Sequence, residues 1–431
     1  MLEQPEAIDQ QTGTGRSPGT GRNVLIIVEN LPVPFDRRVW LEATTLVDAG
    51  HQVSVICPTG KGYEALHEVL DGVHIYRHPL PAEVSSAVGY LREYACALWH
   101  EWTLARRVRR ERGFDVLHAC NPPDLIFIVA AWFKLFHGTR FIFDHHDLNP
   151  ELYESKFGKR GFFHRLLLIA ERMTFALADV VISTNQSYKR IAIERGRKDP
   201  EDIYVVRSGP RLEKFNRVLP DDTCRNGRRF LVGYLGVMSE FDGVDHLVRA
   251  AHHVIRTQGR DEVQFCFIGD GPTRPALIEL ASELGIADHC EFTGRIDDAA
   301  MISALSSCDV CVNPDPSNPL NDKSTMNKIL EYMALERPIV QYDMTEGRYS
   351  AGAASWYARR DDTSDLALKI TGLLDDAPRR KRMGALGRRR MERRFEWAHQ
   401  VPVLLAAYAK ACMGIPRRTQ PVLAQAAASA A

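Results

Sequence analysis

Short apolar runs alternate with stretches of helical period along nearly the whole chain, and the alternation runs through twice. The first series is NVLIIVEN from Asn23, then QVSVIC, GVHIYRH, FDVLHAC, RFIFDHH, DVVIST and IYVVRSG. Helical stretches separate them, from about Arg37 to Gly50, Val88 to Arg112, Leu125 to Phe136 and Phe162 to Leu177. The second series is FLVGYLG, VQFCFIGDG, CEFTGRI, DVCVNPD and PIVQYD, again with helical segments between. Strands that are apolar throughout and joined through helices belong to parallel sheets covered on both faces. The expected architecture is therefore α/β, with two Rossmann-like doubly wound domains at 23–210 and 229–394, and a polar linker at 211–228. Two such sheets in one chain imply a central cleft, with ligands outside the carboxyl ends of the strands. This pattern alone also fits dehydrogenases and two-domain epimerases.

A length of 431 residues leaves room for two such domains, and Lys plus Arg balances Asp plus Glu at 55 each, which argues against a nucleic-acid partner. Nine cysteines are scattered, with Cys57, Cys266 and Cys311 inside apolar runs, as in a reducing cytoplasm. Cys308 and Cys311 form a C-x-x-C without a second pair and read as core residues. Residues 1–22 are a polar, Gly/Thr-rich tail without the apolar stretch of a signal peptide, and 413–431 form an Ala- and Gln-rich tail. No uncharged apolar run approaches a membrane span.

The richest stretch is NPDPSNPLNDKSTMNKILEYMALERPIVQYDMTEGR, from Asn313 to Arg348. Turn formers end the strand DVCV, and Ser324 or Thr325 is placed to cap a helix with Met326, Ile329, Leu330 and Met333 on one face. The helix is expected to end near Glu336, before the strand that Pro338 opens. A helix N-terminus at the end of a buried parallel strand offers N–H groups to an anion. The string EYMALERPIV resembles the E-x-M-A-x-G-x-P-V/I signature of retaining, nucleotide-sugar-dependent glycosyltransferases of family 4, which have the GT-B fold. The resemblance spans nearly all of both halves. It implies that Glu331 holds the ribose hydroxyls of a nucleoside diphosphate sugar; a surface pair with Lys328 is the plainer reading of the same residues. The family's second Glu, eight positions earlier, is Lys323 here, which leaves Asp322, Ser324 or Asn327 to share its contact with the donor sugar. In the family a final helix crosses back to the first domain, and 395–412 matches it.

Other candidates sit at strand ends. In DHHDL, alternate side chains put His145 and Asp147 on one side and Asp144 and His146 on the other. The segment resembles the family's His-Asp loop, so His146, with Asp147 beside it, is implied near the reacting carbon; a histidine satisfied internally is the alternative. His118 in LHACNPPD is either acceptor-facing or structural. Many members of the family this chain resembles have a Gly-Gly pair in the first strand-to-helix loop; here prolines replace the glycines, leaving Arg37 and Arg38 as candidates for phosphate or acceptor, or simply a solvated turn. Gly236 and Gly271 are expected to bring backbone close to the nucleotide. Relatives place Arg and Lys where Tyr234 and Asp242 stand, so Lys328, Arg295 or Arg207 is left to neutralise the diphosphate.

The resemblance implies an enzyme that moves a hexosyl group to an acceptor hydroxyl by front-face attack, needing no metal or other cofactor. Partners would be a nucleotide-sugar donor and a glycan or lipid-linked sugar acceptor, in cell-envelope or exopolysaccharide synthesis. Basic, aromatic stretches at Tyr153 to Met173 and in AVGYLREYACALWHEWTLARRVRR suit either an anionic membrane surface, at the inner face of the cell membrane, or an ordinary amphipathic helix with its Leu and Phe in the core. The alternatives are a non-catalytic nucleotide-sugar-binding subunit and a UDP-sugar 2-epimerase.

Overall fold

The structure is a computed structural model that describes residues 21–79 and 87–414. Both tails, and the side chains at the start of the AVGYLREYACAL stretch, lie outside the described residues.

The strands form two sheets, of eight and of six. In chain order the elements are β1 (Asn23–Ile27), α1 (Arg37–Asp48), β2 (Gln52–Pro58), β3 (His67–Leu70), β4 (Val73–His78), α2 (Ala87–Glu111), β5 (Val116–Cys120), α3 (Phe127–His137) and β6 (Arg140–His145). There follow α4 (Asn149–Phe157), α5 (Phe162–Leu177), β7 (Val180–Ser183), α6 (Gln186–Glu194), β8 (Ile203–Val205), β9 (Phe230–Leu235), α7 (Val244–His252), β10 (Val263–Ile268), α8 (Arg274–Glu283) and β11 (Cys290–Gly294). The chain closes with α9 (Asp298–Ser307), β12 (Val310–Asn313), α10 (Asn327–Ala334), β13 (Ile339–Tyr342), α11 (Thr345–Ala351), β14 (Ser355–Ala358), α12 (Thr363–Leu374), α13 (Ala377–Arg390) and α14 (Trp397–Ala411).

Contacts divide the chain into two compact units, one with residues to His118, 133–140 and the chain from Cys412, the other with 119–132 and 141–411. In the first unit β1, β2 and β4 pair in parallel, and β3 joins antiparallel to β4. That edge hairpin was not anticipated: HEVL is short and half polar, although the Asp71-Gly72 pair, both at positive φ, is a hairpin turn signal. In the second unit β6, β7 and β8 pair in parallel, and the six-stranded sheet runs β11-β10-β9-β12-β13-β14, parallel throughout.

The six-stranded sheet shows why the pattern was readable. Val232, Phe265, Phe267, Val310 and Val340 enter one buried cluster with α7 and α12. Their chain neighbours Leu231, Cys266, Cys311 and Ile339 enter another, with Ile329, Leu330 and Met333 of α10. Each strand thus feeds two cores through its pleat, so both of its faces must be apolar. Cys308 and Cys311 are buried free thiols in this second core, as the lone C-x-x-C suggested. The helix α14 packs on β7 and β8, burying Leu404, Ala407 and Tyr408. Among the described residues no helix is long and apolar enough to cross a membrane.

One local reading is corrected, and one helix start was not anticipated. The NPELY segment opens α4, with Pro150 in the first turn, where its missing N–H costs nothing. Neither Ser324 nor Thr325 caps α10, which starts at Asn327 behind Met326 without a side-chain cap; their hydroxyls are used in longer-range contacts.

Candidate active site

The second unit gathers most of the candidate residues at the carboxyl ends of its strands. The helix α10 is pinned there by Tyr332, whose hydroxyl accepts from the Leu235 N–H at 2.8 Å and donates to the Val312 carbonyl at 3.2 Å. Tyr332 thereby ties α10 to the ends of β9 and β12, and fixes Lys328 and Glu331 one turn apart on the helix.

Lys328 is buried, and its Nζ lies 2.8 Å from Asp315 Oδ1, 3.8 Å from Asp242 and 5.0 Å from the Tyr234 ring centroid. Burial works against its charge, but Asp315, Tyr234 and Asp242 outweigh that and hold the ammonium well above its ordinary pKa. Burial also pushes the Asp315 carboxyl up, with Lys328 pulling it part of the way back, and we read the contact as an ion pair. Lys328 therefore has acidic partners other than Glu331. Asp315 escaped the sequence reading; its signal was a carboxylate two residues beyond a strand end. A Cβ on Gly236 would press on the Tyr234 hydroxyl and stand 3.3 Å from Lys328 Cε, and φ there is +155°, so only glycine lets the backbone pass this cation. Gly271 instead packs on the Met238 backbone. Glu331 is half-buried; Asn327 and Arg295 are exposed.

The loop before α10 is held by side chains from α4, from α6 and its cap Asn185, and from Arg207 just beyond β8. Lys323 Nζ is 3.0 Å from Glu151 Oε1, and burial of Glu151 is outweighed by Arg195 and Lys323, which hold its carboxyl below the ordinary range. Ser324 Oγ donates to the Leu320 carbonyl and lies 3.1 Å from the Tyr188 hydroxyl. Thr325 Oγ1 accepts from Asn185 and from Arg207, each at 3.1 Å. Asp322 accepts from the N–H and hydroxyl of Thr345 and from Arg360, so it serves the first turn of α11. Arg207 lies 3.6 Å from Glu346 and stacks on Tyr349 and Phe395.

At the end of β6, Asp144 is fully buried and its Oδ2 lies 3.2 Å from His146 Nδ1. Asn121 organises the turn: its Oδ1 accepts from the N–H groups of His146 and Asp147, and its Nδ2 donates to the Asp147 carbonyl. Asn121 had no motif to betray it beyond its place at a strand end. As alternation required, His145 faces away from His146. It is buried 3.6 Å from Glu171 among Phe143, Phe175 and Tyr188, so the four residues of DHHD do not converge as metal ligands. The Glu151–Lys323 contact brings α4, which follows this loop, against the loop that leads into α10.

In the first unit His118 is fully buried 3.7 Å from Glu42, and Glu42 lies 3.1 Å from Arg38. Arg38 is buried on α1, while Arg37 is exposed.

Two family models match the chain, Glycosyltransferase Family 4 over residues 36–214 and Glycosyl transferases group 1 over residues 229–376. The chain belongs to the family 4 glycosyltransferases: it is a glycosyltransferase with the GT-B fold. It is 25% identical over 423 residues to the D-inositol 3-phosphate glycosyltransferase of Stackebrandtia nassauensis, covering 93% of this chain and 89% of that one. The fold is shared with sucrose-phosphate synthase from Thermosynechococcus elongatus, at a TM-score of 0.75 and 18% identity, covering 90% and 98% of the two chains. It is also shared with Anabaena HepE, solved with UDP and glucose, at a TM-score of 0.69 and 16% identity, covering 90% and 99%.

Proposed function

We propose that this glycosyltransferase moves a hexosyl group from a nucleoside diphosphate sugar to an acceptor hydroxyl with retention at the anomeric carbon. The observation that carries the reading is the pairing on α10 of a buried ammonium, Lys328, with a half-buried carboxylate, Glu331, three residues on. Residues at that spacing share a helix face with a rise of ~4.5 Å, comparable to the separation of a ribose from its diphosphate. Glu331 accepts from both ribose hydroxyls, while Lys328, the backbone at Gly236 and the start of α10 face the diphosphate. Asp315 and Asp242 cancel part of the Lys328 charge, so the diphosphate also draws on Arg295, on the loop that follows β11.

In the reaction the acceptor oxygen bonds the anomeric carbon on the face the diphosphate leaves. The bond from that carbon to the diphosphate oxygen breaks, and the acceptor proton passes to the departing phosphate. A carboxylate only accepts, so Asp144 accepts a hydrogen bond from the Nδ1–H of His146, which keeps its proton there and leaves Nε2 as an acceptor for the donor sugar. With Lys323 held by Glu151 and Asp322 by Thr345 and Arg360, sugar contact falls to Asn327 and to His146 with Asp147. The diphosphate is balanced by N–H groups and side-chain cations, so no metal is required. The acceptor is a glycan or lipid-linked sugar of the cell envelope or an exopolysaccharide, reached from the cytoplasmic side; the assignment follows the family by analogy.

A thermal-shift screen of UDP-, GDP- and ADP-sugars against wild type and Glu331→Ala tests the donor site. A ligand that binds only the folded state raises the midpoint as RT ln(1 + [L]/Kd). We expect one nucleotide class to stabilise wild type and not the variant. No shift with any of them, or an equal shift in Glu331→Ala, would overturn the reading.

A further inference from the structure

The helix α5 has two apolar faces, and the described residues cover only one. Ala170, Thr174 and Phe175 are buried. On the other side Phe162, Leu166, Ile169 and Met173, spaced by four, three and four residues, form a stripe along the helix, and all are exposed, Phe162 by 70% and Ile169 by 55%. Phe163 in the first turn and Phe157 at the end of α4 widen it, exposed by 56% and 50%. The sequence left two readings of this segment, and the structure removes the one in which these side chains fill the core. A continuous stripe of this size on the surface marks an interaction site.

What covers it is indicated by charge. The connection KFGKRGFF from Lys156 to Phe163 is exposed throughout and holds three cations, three phenylalanines and no acid. Along α5, Arg165 and Arg172 are exposed, at ~60° to ~100° from the centre of the stripe when successive residues are set ~100° apart. Phenylalanine and aliphatic tips that enter the acyl boundary, with basic side chains reaching back to anionic headgroups, make the interfacial pattern of a peripheral helix. A symmetric contact between two copies through this face would bring together two rims in which Lys156, Lys159, Arg165 and Arg172 outnumber the neighbouring acid Glu154, which pairs with Arg160 at 2.9 Å.

We propose that the α4–α5 connection and the outer face of α5 dock this glycosyltransferase on an anionic lipid surface. The docking does not rest on the donor reading, because it is measured without any sugar. The test is co-sedimentation of the full chain with vesicles of phosphatidylglycerol and phosphatidylcholine, or of phosphatidylcholine alone, at low and high salt. Binding to the anionic vesicles should be at least about tenfold stronger and should weaken with salt. It should fall about tenfold or more in the triple variant Phe162→Ser, Phe163→Ser, Leu166→Ser, and also in Lys159→Glu with Arg160→Glu. Both variants should keep the wild-type melting temperature and any nucleotide-sugar shift, which separates lost docking from lost folding or a failed donor site. Three outcomes would overturn the proposal: no wild-type binding to anionic vesicles, binding unchanged in either variant, or a wild-type dimer that the triple variant dissociates.

Discussion

Asp124 is a carboxylate held where charge is costly. Its side chain is buried beside Glu171, with a hydrogen bond from Asn121 at 3.0 Å, and burial followed by the Glu171 charge pushes its pKa up to about 6. The folded chain therefore keeps a proton that the unfolded chain releases, and stability falls as pH rises from about 4 to about 6. Relative to the ordinary value of 3.8, the shift corresponds to about 3 kcal/mol at ~1.4 kcal/mol per unit. Urea melts of wild type and Asp124→Asn at pH 4.5 and 7.5 should show the variant gaining about 2–3 kcal/mol relative to wild type at the higher pH. A gap that does not change with pH would refute this. Asp144 acts on His146 rather than on stability alone. Asp144→Ala should lower kcat about tenfold to a hundredfold with little change in donor KM, since the imidazole loses its fixed orientation. A rise in KM alone would show that the contact only shapes binding. Alternation put Asp144 and His146 on one side in the sequence, but Asp124 beside Glu171, and Asn121 beneath the His146 turn, come together only after distant segments fold.

At the scale of elements, the loop that leads into α10 is held by contacts with distant segments, among them Lys323 with Glu151 of α4. A double-mutant cycle of Lys323→Gln and Glu151→Gln should give a coupling of roughly 0.5–1 kcal/mol, since Lys323 is 35% exposed and partly screened. Additive single effects would mean that the pair contributes no net stability. Elements with strong period and caps were legible: α1 opens behind Asp36, whose side chain accepts from the Val39 N–H, and it ends ahead of Gly50 as read. β3 and the α4 start were not, because one is too short and charged to stand out and the other begins in a proline-containing string that suits a turn equally well.

For the molecule as a whole, α14 is a stabilising brace within the second unit. Tyr408 is buried against the β7 and β8 side, so Tyr408→Ala should cost about 3 kcal/mol by denaturant melt, and a loss under about 1 kcal/mol would show that α14 is dispensable. Turnover in EDTA should stay within about twofold of the untreated value, because the diphosphate is proposed to be balanced by N–H dipoles and cations; loss of activity restored by a divalent ion would reverse that. The sequence by itself determined the α/β class, the strands that feed two cores and the family signature around Glu331, because period, turn chemistry and motif spacing act within a few residues. The tertiary structure alone decided that Lys328 is held by Asp315, that Asn121 orders the His146 turn, that Lys323 is tied to Glu151, and that the outer face of α5 is exposed. Those outcomes depend on which distant charges and surfaces the folded chain brings within a few ångströms, and no local pattern encodes them.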